Sequence, residues 1–235
     1  MAYPIKGFNP HTLIDWEGML ASVIYLPGCN FRCPFCHSSV LVLDPDSLTT
    51  VPFEHIERYI REKDGWIDAM VIGGGEPTLY KHLPALLNDI KNLGLKIKID
   101  TNGTNPQMLS AVMEQGLVDY IAMDVKAPLE KSKYSRATIV PVDIEALSRS
   151  IELLIKSNLD YEFRTTVVPA ILDKTDIVEI ARTISSAKKY VLQQFDPADV
   201  MDDNFTKVKP YTPDMLKSMA CLAGEFVKNC IVRGV

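Results

Sequence analysis

The sequence predicts an α/β fold, an open, partial (β/α)6 barrel of the TIM-like kind. Two observations carry this expectation. Short β-branched runs recur along the chain, each followed by a stretch of helical periodicity. That alternation is the pattern of parallel strands joined by right-handed crossovers. Six such repeats are present, too few for the closed eight-stranded barrel.

In chain order, strands are expected at 20–26 (LASVIYL), 67–72 (IDAMVI), 95–99 (LKIKI), 120–125 (YIAMDV), 161–168 (YEFRTTVV) and 190–194 (YVLQQ). Helical patterns lie between them at 53–62, 83–93, 106–115, 144–157 and 176–186, and a last helix is expected over 213–232. Asn105 before Pro106 reads as an N-cap followed by proline at the first helical position. Gly94 and Gly116 each follow a helical pattern, where a left-handed residue is wanted. With no fixed-period repeat, low-complexity tract or Gly/Ser linker, a single domain over 1–235 is expected. It comprises a lead-in over 1–19, the barrel over about 20–195 and a helical segment over about 211–232.

The composition is that of an ordinary globular chain, 47% hydrophobic and 23% charged, with room for a sizeable core in 235 residues. A net charge of −5 argues against nucleic acid as a partner. The longest apolar stretch, 19–27, falls far short of the roughly 20 residues a bilayer requires. The N-terminus lacks a basic segment followed by an apolar one, so a cytoplasmic protein without a signal peptide is expected, with no membrane partner. In a reducing compartment cysteines serve as ligands or buried thiols rather than disulfides. Three of the five lie within eight residues.

Those three are Cys29, Cys33 and Cys36, spaced C-x3-C-x2-C immediately after the first strand. An iron–sulfur cube normally takes four thiolates, so three leave one iron open for a small molecule. A zinc site is the competing reading, but zinc patterns generally come as two pairs, and Cys221 and Cys230 do not supply a second close pair. C-x3-C-x-aromatic-C resembles the signature of the radical S-adenosylmethionine (SAM) superfamily. The resemblance implies a partial barrel of the radical SAM type, one [4Fe–4S] cluster, and SAM chelating the open iron. Phe35 stands at the aromatic position near the adenine.

In barrels of this class the chemistry lies at the C-terminal ends of the strands. Polar motifs recur there. After the second strand, Gly73-Gly74-Gly75-Glu76-Pro77 permits close backbone approach and offers a carboxylate to an ammonium group. Gly74, Gly75 and Glu76 match the family's GGEP motif for the methionine amino group. The third strand ends in Asp100-Thr101-Asn102-Gly103, and similar segments lie beside the ribose and methionine, implicating Asp100 and Asn102. Asp124 and Lys126, two apart on an extended segment, share a face, which suits either a structural ion pair or a ligand contact. Their MDVK segment is similar to the strand end that surrounds SAM in glycyl-radical-enzyme activases. There Lys126 would meet the methionine carboxylate, and the resemblance implies a monovalent cation shared by Asp100 and Asp124. Arg164, on an apolar β-branched run, calls for an acidic partner, and Gln194 ends the sixth run where a ribose contact is expected.

The lead-in narrows the likeness. Thr12-Leu13-Ile14-Asp15-Trp16-Glu17-Gly18-Met19-Leu20-Ala21 resembles the corresponding segment of activating proteins for anaerobic ribonucleoside-triphosphate reductases, departing at Trp16-Glu17 where Tyr-Pro is preferred. This implies a SAM-derived radical that abstracts hydrogen from a glycine of a glycyl-radical enzyme, an anaerobic ribonucleotide reductase, with flavodoxin or ferredoxin as electron donor. Asp15 and His37 are read as facing the substrate. The competing readings are a small radical SAM enzyme acting on a small molecule or RNA, similar to deazaguanine synthases, and a non-catalytic metal-binding module. No cysteine lies between Cys36 and Gly73, so no extra cluster domain is inserted there, and Cys221 and Cys230 read as buried thiols on the last helix. One cluster is predicted. Iron analysis of the reconstituted protein should give about four irons per chain, and markedly more would refute it.

Overall fold

The computed structural model describes residues 2–235. It contains two compact units. One holds the segment ending at Asn30 together with Ser38–Thr101 and Gln107–Ile121; the other holds Phe31–His37, Asn102–Pro106 and Ala122–Val235.

In the first unit β2 (Ala21–Leu26), β3 (Ala69–Gly74) and β4 (Lys96–Thr101) run parallel, with β1 (Gly7–Thr12) antiparallel to β2. β3 is apolar and buried over Ala69–Gly73, as a strand covered on both faces must be. On one face, small residues at Ala21 and Ala69 beside Val23 and Val71 accommodate the Trp16 indole, with Met19, Tyr25 and Tyr120 around it. The other face presents Ile24, Met70, Ile72, Ile97 and Ile99, all fully buried. The helices are α1 (Ser39–Leu43), α2 (Phe53–Glu62), α3 (Leu83–Lys91) and α4 (Pro106–Glu114). Amphipathic spacing explains two of them. Ile56 and Ile60 form the buried stripe of α2, and Leu83, Leu86, Leu87 and Ile90 that of α3. Gly94 and Gly116, with φ of +81° and +65°, take the left-handed conformation expected after α3 and α4.

β5 (Tyr120–Asp124) falls at the division between the units. The second unit continues through α5 (Lys131–Thr138), α6 (Ile144–Lys156), β6 (Asp160–Val167), α7 (Lys174–Thr183), β7 (Tyr190–Gln194), α8 (Pro213–Ala223) and β8 (Cys230–Arg233). β6, β7 and β8 are parallel neighbours. Their helices start at side-chain caps. Asp143 accepts from Ala146 N at 3.1 Å, Thr212 accepts from Met215 N at 3.3 Å, and Asp173 and Asp176 close a reciprocal capping box on α7. That box places the start of α7 at Lys174, two residues before the predicted one.

All six predicted strands are present, with ends shifted by at most two residues. Besides the unpredicted short helix α1, three features depart from expectation. β1 contains Pro10, which cannot donate to a ladder; its pairing with β2 is irregular between Asn9 and Thr12. The polar helix α5 buries Tyr134, Ala137 and Thr138. The expected helix over 213–232, and with it the helical segment over 211–232, is corrected. The helix ends at Ala223 with Gly224 as its C-cap, and the Ile231-Val232 run forms β8 by pairing with β7. Cys221 is therefore exposed on α8 and Cys230 half-buried on β8, so they are not two buried thiols of one helix. Among the described residues, no helix is long and apolar enough to cross a membrane.

β6 carries one buried carboxylate, Glu162, at 2% exposure. Arg233 on β8 holds it with two parallel bonds of 2.9 and 3.0 Å, and Lys189 stands at 3.5 Å. Removing the carboxylate takes away the anion to which both cations are bound. Glu162→Ala should destabilise the fold by about 3 kcal/mol, at the low end for breaking a buried pair because Arg233 is partly exposed. Urea denaturation measures it, and a loss under about 1 kcal/mol would show that solvent already screens the pair.

Candidate cofactor and metal site

The first unit contributes the turn after β3. Gly75 N donates to Leu26 O at 2.8 Å and Glu76 N donates to Gly28 O at 2.7 Å, fastening this turn to the start of the cysteine loop. A Cβ on Gly75 would stand 1.8 Å from Gly28 O, and one on Gly74 2.4 Å from Leu26 O. The side-chain space of these two glycines is thus occupied by the protein's own backbone. Glu76 is 2% exposed, and its Oε1 accepts from Thr78 N (3.1 Å), Thr78 Oγ1 (2.5 Å) and Thr101 Oγ1 (2.7 Å). These donors satisfy Oε1 of the buried carboxylate in place of water.

Asp100 shares a face of β4 with Lys98, whose side chain is 3% exposed. The Lys98 ammonium donates to Asp15 O at 2.5 Å, stands 3.3 Å from Asp100 Oδ1, and lies 5.8 Å from the centroid of the Tyr120 ring. Asp15 therefore engages through its backbone carbonyl. Burial, followed by the Asp15 and Asp100 charges, raises the Tyr25 hydroxyl above its ordinary pKa.

In the second unit Asn102 is 5% exposed, and its Oδ1 accepts from Thr104 N at 3.0 Å and Thr104 Oγ1 at 2.7 Å, an Asx turn. Backbone bonds tether the cysteine loop: Arg32 N to Thr138 O at 2.9 Å, Cys36 N to Cys33 O at 3.0 Å, and Asp202 N to Pro34 O at 3.0 Å. Cys33 and Phe35 are each 6% exposed. The Lys126 ammonium lies 5.9 Å from the Phe35 ring centroid, and Lys126 N donates to Tyr134 Oη at 3.1 Å.

Asp124 binds both neighbouring cations, Arg164 Nε to Oδ1 and Lys126 Nζ to Oδ2, each at 2.8 Å. Burial works to raise its pKa, but Arg164 and Lys126 prevail and hold it well below the carboxylate range. For Lys126 burial works downward, and the charges of Asp124 and Cys33 hold it above its ordinary value. Arg164 thus has the acidic partner its position demanded.

His37 is exposed, with Nε2 3.0 Å from Asp196 O. The Gln194 amide donates to Phe195 O (3.3 Å) and Tyr211 O (3.2 Å), while its buried Oε1 has no hydrogen-bond partner. Register pairs Arg164 with Val191 and Thr166 with Gln193, so Gln193, not Gln194, shares the face of Arg164.

Cys29 belongs to the first unit and Cys33 and Cys36 to the second. Among the described residues, no group of three or more His, Cys, Asp or Glu side chains is gathered to hold a metal ion. The donor chemistry nevertheless suits a cluster: three thiols on one short loop, Cys33 buried and Cys29 and Cys36 partly exposed. Thr78, Lys98 and Thr101 escaped the sequence reading. Only Lys98 left a signal there, a lysine two residues before Asp100 on an alternating apolar strand.

Residues 23–187 match the Radical SAM superfamily. A protein of Methanocaldococcus jannaschii named "Putative glycyl-radical enzyme activating enzyme" is 33% identical over 98% of this chain and 96% of its own length. A 7-carboxy-7-deazaguanine synthase of Hyperthermus butylicus is 33% identical, but over only 43% of this chain and 40% of its own. Streptococcus suis SuiB bound to S-adenosylmethionine superposes with a TM-score of 0.68 at 16% identity, over 90% of this chain and 52% of that one. This last likeness concerns the fold alone, an α/β fold with a parallel sheet, in keeping with a partial barrel.

The close approach at Gly75 leads to a test of stability. Gly75→Ala should cost about 3 kcal/mol, the upper range for overpacking against an unyielding group. Gly94→Ala, with nothing within 4 Å but a φ of +81°, should cost about 1 kcal/mol. Equal denaturation midpoints for the two variants would refute the close-contact argument.

Proposed function

Because this chain belongs to the radical SAM superfamily, we propose that it is a glycyl-radical-enzyme activase whose target is an anaerobic ribonucleotide reductase. The supporting observation is the end-to-end similarity to the M. jannaschii activating enzyme; similarity to the deazaguanine synthase covers less than half of either chain. The superfamily implies a [4Fe–4S] cluster and SAM. When bound, they supply a one-electron reductive cleavage that yields methionine and a 5′-deoxyadenosyl radical, which takes a hydrogen atom from a glycine Cα.

Cys29, Cys33 and Cys36 would hold the cluster, with Phe35 against the adenine. Glu76, oriented by its hydroxyl and amide donors, accepts from the methionine ammonium beside the backbone of Gly74 and Gly75. Lys126 meets the methionine carboxylate, and Asp124, itself fixed by Arg164, holds Lys126 in place. Asp100 and Asn102 border the ribose, and a ribose contact from Gln194 requires its side chain to leave the face of β7 opposite Arg164. Asp15 and His37 remain on the substrate side. A monovalent cation at Asp100 or Asp124 would compete with the Lys98, Arg164 and Lys126 partners they already have. The electron comes from flavodoxin or ferredoxin.

The test is electron paramagnetic resonance on the anaerobically reconstituted protein with SAM, a low-potential reductant and a candidate reductase. A glycyl doublet is expected, lost entirely in Cys33→Ala. SAM cleavage without a doublet on any glycyl-radical enzyme offered would overturn the activase reading and favour a small-molecule substrate.

A further inference from the structure

On the face of β6 and β7 that carries Arg164, Thr166 and Gln193 are register partners, and Gln193 pairs in turn with Arg233 of β8. Neighbouring strands lie about 4.8 Å apart, and two residues advance a strand by about 6.6 Å. The pair therefore sits side by side, one step beyond Arg164 toward the C-terminal ends of the strands, where chemistry is placed in folds of this class. Both side chains are half-buried, and among the described residues neither makes a side-chain hydrogen bond.

The charges around them are committed. Arg164 is bound to Asp124, and Arg233 and Lys189 to Glu162. A carboxylate or phosphate at this spot would compete with buried internal carboxylates for those cations. What the spot offers is a primary amide, which both donates and accepts, beside a hydroxyl that does the same. That set complements a peptide group, with its N–H and C=O. A glycine has no side chain to be recognised by, so a segment presenting one must be held through its peptide groups.

We infer that Thr166 and Gln193 grip the substrate polypeptide by its backbone on either side of the target glycine. The inference rests on the activase reading and adds to it the residues that select a peptide. They are positioning residues; the radical chemistry does not pass through them.

The test uses reconstituted holoenzyme and an anaerobic ribonucleotide reductase, comparing wild type with Gln193→Leu, Thr166→Val and the double variant. Each lost hydrogen bond should raise the KM for the reductase about tenfold. The yield of glycyl spin per 5′-deoxyadenosine should fall, and the KM for SAM should stay within twofold. Gln193→Asn, which keeps the neutral amide but shortens its reach by one methylene, should fall between wild type and Gln193→Leu; it also serves if the leucine variant folds poorly. An unchanged KM for the reductase, or a KM for SAM that rises in step, overturns the inference while a wild-type glycyl doublet leaves the activase reading intact. Deoxyadenosine formation by wild type with no doublet on any such reductase overturns both.

Discussion

Asp124 stands between two cations, and the site of the second unit is arranged around that carboxylate. Arg164 on β6 and Lys126 just past β5 would each be costly to hold in a sparsely hydrated setting without an anion. One carboxylate serves both, binding each at 2.8 Å. The balance leaves a net positive charge, carried by a lysine that lies over Phe35 and near Cys33. Strand, cysteine loop and aromatic ring are thereby referred to one ion triplet. Without Asp124, two like charges would repel across the same space.

The first unit meets the same difficulty with neutral donors. Glu76 is buried beside two threonines, and the hydroxyls of Thr78 and Thr101 together with an amide stand in for water. Thr101 belongs to the following strand, so the turn after β3 and the end of β4 are linked through one oxygen atom. Backbone contact at Gly74 and Gly75 holds that turn against the end of β2. The polar groups of both units are thus largely satisfied within the protein, which lowers the cost of presenting charge to a ligand.

Sequence reasoning located what depends on local pattern. Alternation and helical periodicity found the six strands; thiol spacing and the GGEP segment found the cofactor chemistry. Features set by pairing partners were hidden. β1 has a proline and no regular alternation, and exists because β2 offers it a neighbour. β8 continued a helical run until its pairing with β7 decided otherwise. The same holds for single side chains. Gln193 and Gln194 are indistinguishable as letters, and only the register with β6 tells which one shares a face with Arg164. Lys98 reads in sequence only as a lysine on an alternating strand, and its burial goes with its bond to Asp15, 83 residues away in sequence.

The two cysteines outside the triplet differ in a way that bears on bench work. Cys221 is exposed, whereas burial pushes the Cys230 thiol up to about 12, so it is almost wholly protonated at neutral pH. A thiol-specific dye at pH 7 will label Cys221 promptly and Cys230 hardly at all. In a colorimetric thiol count, the chain therefore carries a constant background of one, and any signal beyond it comes from the cluster loop. Loss of that excess on loading with iron and sulfide becomes a direct optical gauge of how many molecules in a preparation have been filled.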